Sequence, residues 1–174
     1  MCPVSPQKDS RATSPREKAP FASPSLTSAV TTELFFQKGI IGFGDHQRYL
    51  LAPTPKTELW PMKVLVHQQN PSLFFLVIED KGLDETHHLT LNPSVFKSFG
   101  YDEMQTRIFF IVTTALSEEA GQKVLLLSVN KKAPLFIDCA GKRAGQHILG
   151  DKNLPLCCPL PAYSKLLQDR LNLK

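Results

Sequence analysis

The chain has 174 residues, of which 42% are hydrophobic and 21% charged, with a formal net charge of +4. This suits one soluble globular domain with tails, and no apolar run reaches the roughly 20 residues that a membrane-spanning helix needs. The charge does not have the pattern of a nucleic-acid stripe: Lys8, Arg11, Arg16 and Lys18 outnumber Asp9 and Glu17 near the N-terminus, leaving a nearly balanced remainder that argues weakly for or against such a partner.

Residues 1–30 read as a disordered, solvated tail. Pro3, Pro6, Pro15, Pro20 and Pro24 alternate with Ser and Thr, and no apolar period appears. Such a segment cannot bury enough surface to offset its ordering entropy. It also lacks the apolar centre of a signal peptide, so the expected location is the cytoplasm. The cysteines agree: Cys2, Cys139, Cys157 and Cys158 show neither zinc-site nor CxxC spacing and are expected to be reduced thiols.

From Thr31 the texture changes to short apolar runs. Leu34-Phe35-Phe36 is the first of them, and the glycines at 39, 42 and 44 that follow punctuate a strand or tight turn. Tyr49-Leu50-Leu51 is a further apolar run before a loop at Pro53-Thr54-Pro55, and Val64-Leu65-Val66 is strand-like. The run over 73–78 suits a central strand, and the turn before it holds Asn70-Pro71. Asn92-Pro93 looks like the cap and first position of a two-turn helix that stops at Gly100, with Val95, Phe96 and Phe99 on one face. Residues 108–114, 123–129, 134–138 and 146–149 complete the strands, with a loop over 140–145. At the end Tyr163, Leu166, Leu167, Arg170 and Leu171 follow Pro161 at helical spacing. The expected fold is mainly β: a single antiparallel β-barrel-like domain over 31–160, with one short helix, then an amphipathic C-terminal helix over 161–174 packed on the barrel.

No reaction follows from the residues. Gly42-Phe43-Gly44 lacks the third glycine of a nucleotide loop, and neither GxxxxGK[ST] nor GxSxG occurs. His87-His88 would need Cys157-Cys158 brought close in space to form a metal site, and adjacent side chains diverge on a strand. His67 and His147 read as histidines of strand-like segments. Cys139 has Lys142 and Arg143 nearby but no base beside it, and reads as a small residue at a strand end. The expectation is no enzyme, no metal and no cofactor.

Three stretches carry a family likeness. Gly39-Ile40-Ile41-Gly42-Phe43-Gly44-Asp45 with Arg48-Tyr49-Leu50-Leu51 is similar to GLPGFE…RRFVLL of the FliW family. Gln69-Asn70-Pro71-Ser72-Leu73-Phe74-Phe75-Leu76-Val77 resembles its DDPDLAFLVV. Asn130-Lys131-Lys132-Ala133-Pro134-Leu135-Phe136-Ile137-Asp138 and the following Lys142-Arg143-Ala144-Gly145-Gln146-His147-Ile148-Leu149 resemble its NLLAPIVIN…RRGRQVIL. Leu154-Pro155-Leu156 and Pro159-Leu160 match its closing YPLRHPL. The blocks keep family order over about residues 34–160. The chain departs in being basic where relatives are usually acidic, in Gly145 where Arg is frequent, and in Cys157-Cys158 for Arg-His.

The resemblance implies a non-enzymatic flagellar assembly factor, and the expected protein is a cytoplasmic monomer that binds neither membrane nor, directly, nucleic acid. It implies two protein partners, flagellin and the translational repressor CsrA. Bound FliW stops CsrA from blocking flagellin translation, and new flagellin recaptures FliW. Matched positions and loop exposure nominate Asn70, Pro71, Asn130, Lys142 and Arg143 as partner-binding residues, although Asn130 also suits a structural turn. A small RNA-binding barrel is the rival reading, drawn from Lys131-Lys132 and Lys142-Arg143 near Phe136 and Phe109-Phe110.

Overall fold

The computed structural model describes residues 31–54, 59–119 and 122–171. The expected N-terminal tail lies outside them, as do 55–58, 120–121 and 172–174.

Nine strands form one sheet: β1 (Thr32–Phe36), β2 (Arg48–Pro53), β3 (Lys63–His67), β4 (Phe74–Glu79), β5 (Thr106–Glu119), β6 (Gln122–Val129), β7 (Leu135–Asp138), β8 (Arg143–Gln146) and β9 (Cys158–Pro159). Their order is β4-β3-β2-β1-β8-β7-β5-β6-β9, and β4 also pairs with β5. That extra pairing closes β1–β5, β7 and β8 into a ring, so the barrel has no free edge through most of its circuit. All pairs are antiparallel except β1–β8. Closure at the β4–β5 seam is reinforced by Arg107, whose Nε donates to Glu79 Oε1 at 2.7 Å.

The barrel interior follows from strand parity, because alternate residues face inward. Leu34, Phe36, Tyr49, Leu51, Leu65, Val77, Phe109, Leu135 and Ile137 form one buried cluster. Ile40 joins it from the β1–β2 loop, which turns tightly at Gly39 (φ 66°) and Gly42 (φ 87°). Within this cluster Tyr49 is wholly buried, and its hydroxyl has no hydrogen-bond partner among the described residues. Burial pushes that phenol up to about 12. A polar group desolvated without a partner is a net cost. Tyr49→Phe is therefore expected to keep full stability or gain up to about 1 kcal/mol in urea denaturation.

β5 is longer than the strand expected at 108–114. Its first half pairs with β7 and β4, and residues 112–119 leave the ring to pair with β6. The edge of β6 is capped by the C-terminal helix α2 (Pro161–Leu171). Leu127 N–H donates to Ser164 Oγ at 2.9 Å, Leu125 N–H donates to Gln168 Oε1 at 3.2 Å, and Gln168 Nε2 donates to Lys123 O at 3.1 Å. Side chains thus supply the partners that another strand would have provided. Leu160 and Leu167 enter the core beneath, whereas Leu166 faces out at 38% exposure. Of the residues expected on the apolar stripe, Leu167 is buried and Tyr163 packs against the core, whereas Leu166 faces out and Ser164 takes a buried place beside Leu167.

Helix α1 (Pro93–Ser98) follows its sequence signals. Asn92 Oδ1 accepts from Ser94 N–H at 2.9 Å, and Gly100 takes φ 77° just past the end. Its rings close on Phe136 of β7, with Phe96 and Phe99 centroids at 5.4 and 5.5 Å. No helix among the described residues is long and apolar enough to cross a membrane.

The strand expected at 146–149 is a correction. The β7–β8 hairpin turns within residues 139–142, because Asp138 Oδ1 accepts from Gly141 N–H at 2.8 Å and Lys142 adopts φ 52°. β8 therefore starts at Arg143 and ends at Gln146. Arg143 sits on a strand rather than in the expected loop.

Candidate partner-binding surface

The parity that buries Leu34 and Phe36 turns Phe35 outward, where it is 41% exposed. Register places Arg143 of β8 on one side of it and Arg48 of β2 on the other. The Arg48 guanidinium lies 6.0 Å from the Phe35 ring centre. Arg143 spans the Tyr101 ring at 5.5 Å and approaches Asp138 Oδ2 at 3.5 Å and Gly100 O at 3.4 Å. Its side chain stays 58% exposed, so that ion pair is screened and its donors remain open to a partner.

Beside this row lies a cleft of about 580 Å³. The β1–β2 loop forms one wall through Lys38 and Ile41, and Phe99 and Tyr101 form the other. Its floor is β8 and the residues that follow. His147 stacks flat on Phe99 with ring centres 4.2 Å apart, and both rings rest on Phe136. Gly145 makes this packing possible. A Cβ there would come within 2.6 Å of His147 Nε2 and 2.9 Å of Tyr101 Oη. Ile41 and Ile148 are 55% and 64% exposed at the rim. Apolar surface of this kind, lined also by Lys38 and Arg143, has the composition of a protein-recognition site.

The nominated residues divide. Lys142 and Arg143 are exposed, Arg143 lining the cleft and Lys142 preceding it in the hairpin turn. Asn70 and Pro71 form the exposed β3–β4 turn, and Asn70 N–H donates to His67 Nδ1 at 3.0 Å. Gln68 N–H bonds Arg48 O, so this turn is three strand steps from Arg143, about 14 Å at the usual spacing. The Asn130 side chain is already engaged: Oδ1 accepts from Lys132 and Ala133 N–H at 3.0 and 3.1 Å. It builds the turn before β7. Sequence reasoning missed Phe35, Ile41, Phe99 and Ile148, and strand parity between Leu34 and Phe36 is the signal that points Phe35 outward.

The other groups singled out have structural partners. His87 Nδ1 lies 2.6 Å from Asp84 Oδ1 and its Nε2 lies 3.0 Å from Pro159 O. His88 Nε2 is 2.9 Å from Leu83 O. Hydrogen bonds from Thr86 and His87 pull the Asp84 carboxyl down to about 2. Cys139 is a half-buried free thiol packed against the barrel core. Phe109, Phe110 and Phe136 are fully buried, so they offer no face for base stacking.

Two histidines tie stability to pH. Burial, then the charge of His46, lowers His67; burial, then Lys38, lowers His147. An unfolded histidine titrates near 6.5 and binds more protons than its buried counterpart below that value. Stability is therefore full above about pH 6.5 and falls as the pH drops toward the lowered folded values. The melting temperature should decline between pH 7.5 and 5.5, and His147→Phe should flatten that decline.

The FliW protein family model matches residues 22–160. The chain is 24% identical over 135 residues to a flagellar assembly factor FliW of Bdellovibrio bacteriovorus, covering 78% of this chain and 72% of that protein. It is 24% identical over 127 residues to one of Clostridium beijerinckii, covering 73% and 85%. A crystal structure of the flagellar assembly factor FliW shares the fold, with a TM-score of 0.57 and 22% identity over 74% of this chain and 84% of that one.

Proposed function

Since the chain belongs to the FliW family, we propose that it is a cytoplasmic, non-enzymatic regulator that binds flagellin and a CsrA-like translational repressor in turn. With the repressor held, flagellin synthesis proceeds; as flagellin accumulates it takes the factor back and repression returns. In thermodynamic form the two partners are linked, and occupancy by one lowers the apparent affinity for the other by a reciprocal factor.

The observation that carries the reading is the exposed Phe35 between Arg48 and Arg143, opening onto the cleft. Aromatic rings and arginines that stay rigid and accessible are the residues that anchor protein interfaces. Lys142 and Arg143 are the charged contacts of this surface, and the Asn70-Pro71 turn is its outlying part. Its positive character favours an acidic partner face.

A competition experiment tests the switch. The full chain is first saturated with the host's CsrA-like protein, and flagellin is then added while release of the repressor is followed by fluorescence anisotropy. Release that rises with flagellin concentration and saturates is the expected result. Undiminished repressor binding at saturating flagellin would exclude mutual antagonism.

A further inference from the structure

β8 outlasts its neighbour. The parallel ladder with β1 has two rungs, Phe35↔Arg143 and Phe36↔Ala144, and there β1 ends. Gly39 N–H bonds back to Phe36 O at 3.0 Å and turns the chain away. On the opposite side the segment stays tied down past the end of β8. His147 N–H bonds Pro134 O at 3.2 Å, and Leu149 N–H bonds Lys132 O at 2.8 Å.

Main-chain direction alternates along an extended chain. Residues 147 and 149 bond toward β7, so 146 and 148 point their N–H and C=O groups to the side β1 has left. Lys142 O, which accepts from Phe35 N–H at 2.9 Å, has the same parity and confirms it. The β1–β2 loop meets this segment through the Gln146 side chain, whose Oε1 accepts from Ile41 N–H and whose Nε2 donates to Ala133 O. A rigid strand edge thus lies along the cleft floor, beside the stacked Phe99 and His147 rings.

We propose that this edge, from Ala144 to Ile148, accepts an extended segment of a partner protein as an added strand in the line β1 vacates. Main-chain bonds to residues 146 and 148 supply affinity, and alternate side chains of the guest enter the cleft, as in strand-addition recognition generally. The guest is apolar at alternate positions, to meet the Phe99–His147 stack and Ile41. It also carries acidic residues that pair with Lys38, Lys142 and Arg143, because Asp138, the carboxylate beside Arg143 among the described residues, is buried and already bonded to Gly141 N–H.

This inference rests on the reading of the chain as a flagellin-binding factor, so flagellin is the probe. The full chain, ¹⁵N-labelled, is titrated with the host's flagellin, and amide exchange is followed at Gln146 and Ile148. Both amides are expected to exchange freely in the unbound chain and to slow at least tenfold at saturation. Ile148→Pro removes one edge donor without removing any bond within the fold, and should weaken binding about tenfold or more. Ile148→Ala should weaken it less. Unchanged exchange at both positions in the flagellin complex would overturn strand addition and leave partner binding intact. Protection already present in the free chain would also overturn it, since a second copy at high concentration, or the chain itself, would then cover the edge. Failure of the unaltered chain to bind flagellin would remove the reading beneath it.

Discussion

Phe136→Ala is expected to destabilise the protein by about 3–5 kcal/mol, the range for deleting a buried ring. Phe136 has no exposed surface and meets four aromatic rings: Phe96 at 5.4 Å, Phe99 at 5.5 Å, Tyr101 at 5.6 Å and His147 at 5.3 Å. It is the common support of α1 and of the cleft wall. Truncation leaves a cavity that four stiff rings cannot collapse to fill, which places the cost toward the upper end. Urea denaturation gives the magnitude, with Phe35→Ala as the surface control expected to change stability by less than about 0.5 kcal/mol. Because Phe99 and His147 lean on the same ring, Phe136→Ala should also weaken partner binding, whereas a loss of stability with affinity unchanged would separate the cleft wall from recognition.

Removing both charges at the end of the β7–β8 hairpin, Lys142→Gln with Arg143→Gln, is expected to weaken partner binding by about 10- to 100-fold, or roughly 1.4–2.7 kcal/mol. The fold should barely respond. Lys142 is exposed, and Arg143 spends its charge on a 3.5 Å pair that solvent screens. The effect should fall on association rate and shrink as salt rises, which surface-plasmon measurements at two ionic strengths would reveal. An equal loss at high and low salt would mean that the two side chains act through packing rather than charge.

Much of the architecture was legible because local chemistry and global fold agree. Asn92-Pro93 capped a helix where expected, and Gly39, Gly42 and Gly100 took the positive φ that their positions required. The β8 boundary was not legible. It depends on the Asp138 carboxylate closing on Gly141 N–H and on Lys142 entering the left-handed region, which a non-glycine residue seldom does. The length of β5 was hidden as well: residues 115–119 are held as strand by pairing with β6, a tertiary effect.

The site was read in halves. Lys142 and Arg143 stood out as charges near a turn, but the apolar half of the surface is made by assembly. Phe99 and His147 meet only once α1 and the end of β8 close over Phe136, so that packing rather than spacing brings together two rings far apart in the chain. Gly145 looked like a lost arginine until the rings that occupy its missing side chain were in place. Asn130 matched the family pattern for a turn reason, since its carboxamide holds two backbone amides.

The central claim is that this barrel works by holding another protein. Calorimetric titration of the full chain with the host's flagellin tests it most directly. Saturable heat at a fixed stoichiometry, lost when Lys142 and Arg143 are neutralised, is the predicted result. No heat from folded protein, with flagellin or with the CsrA-like repressor, would contradict the account and leave the barrel without its assigned partners.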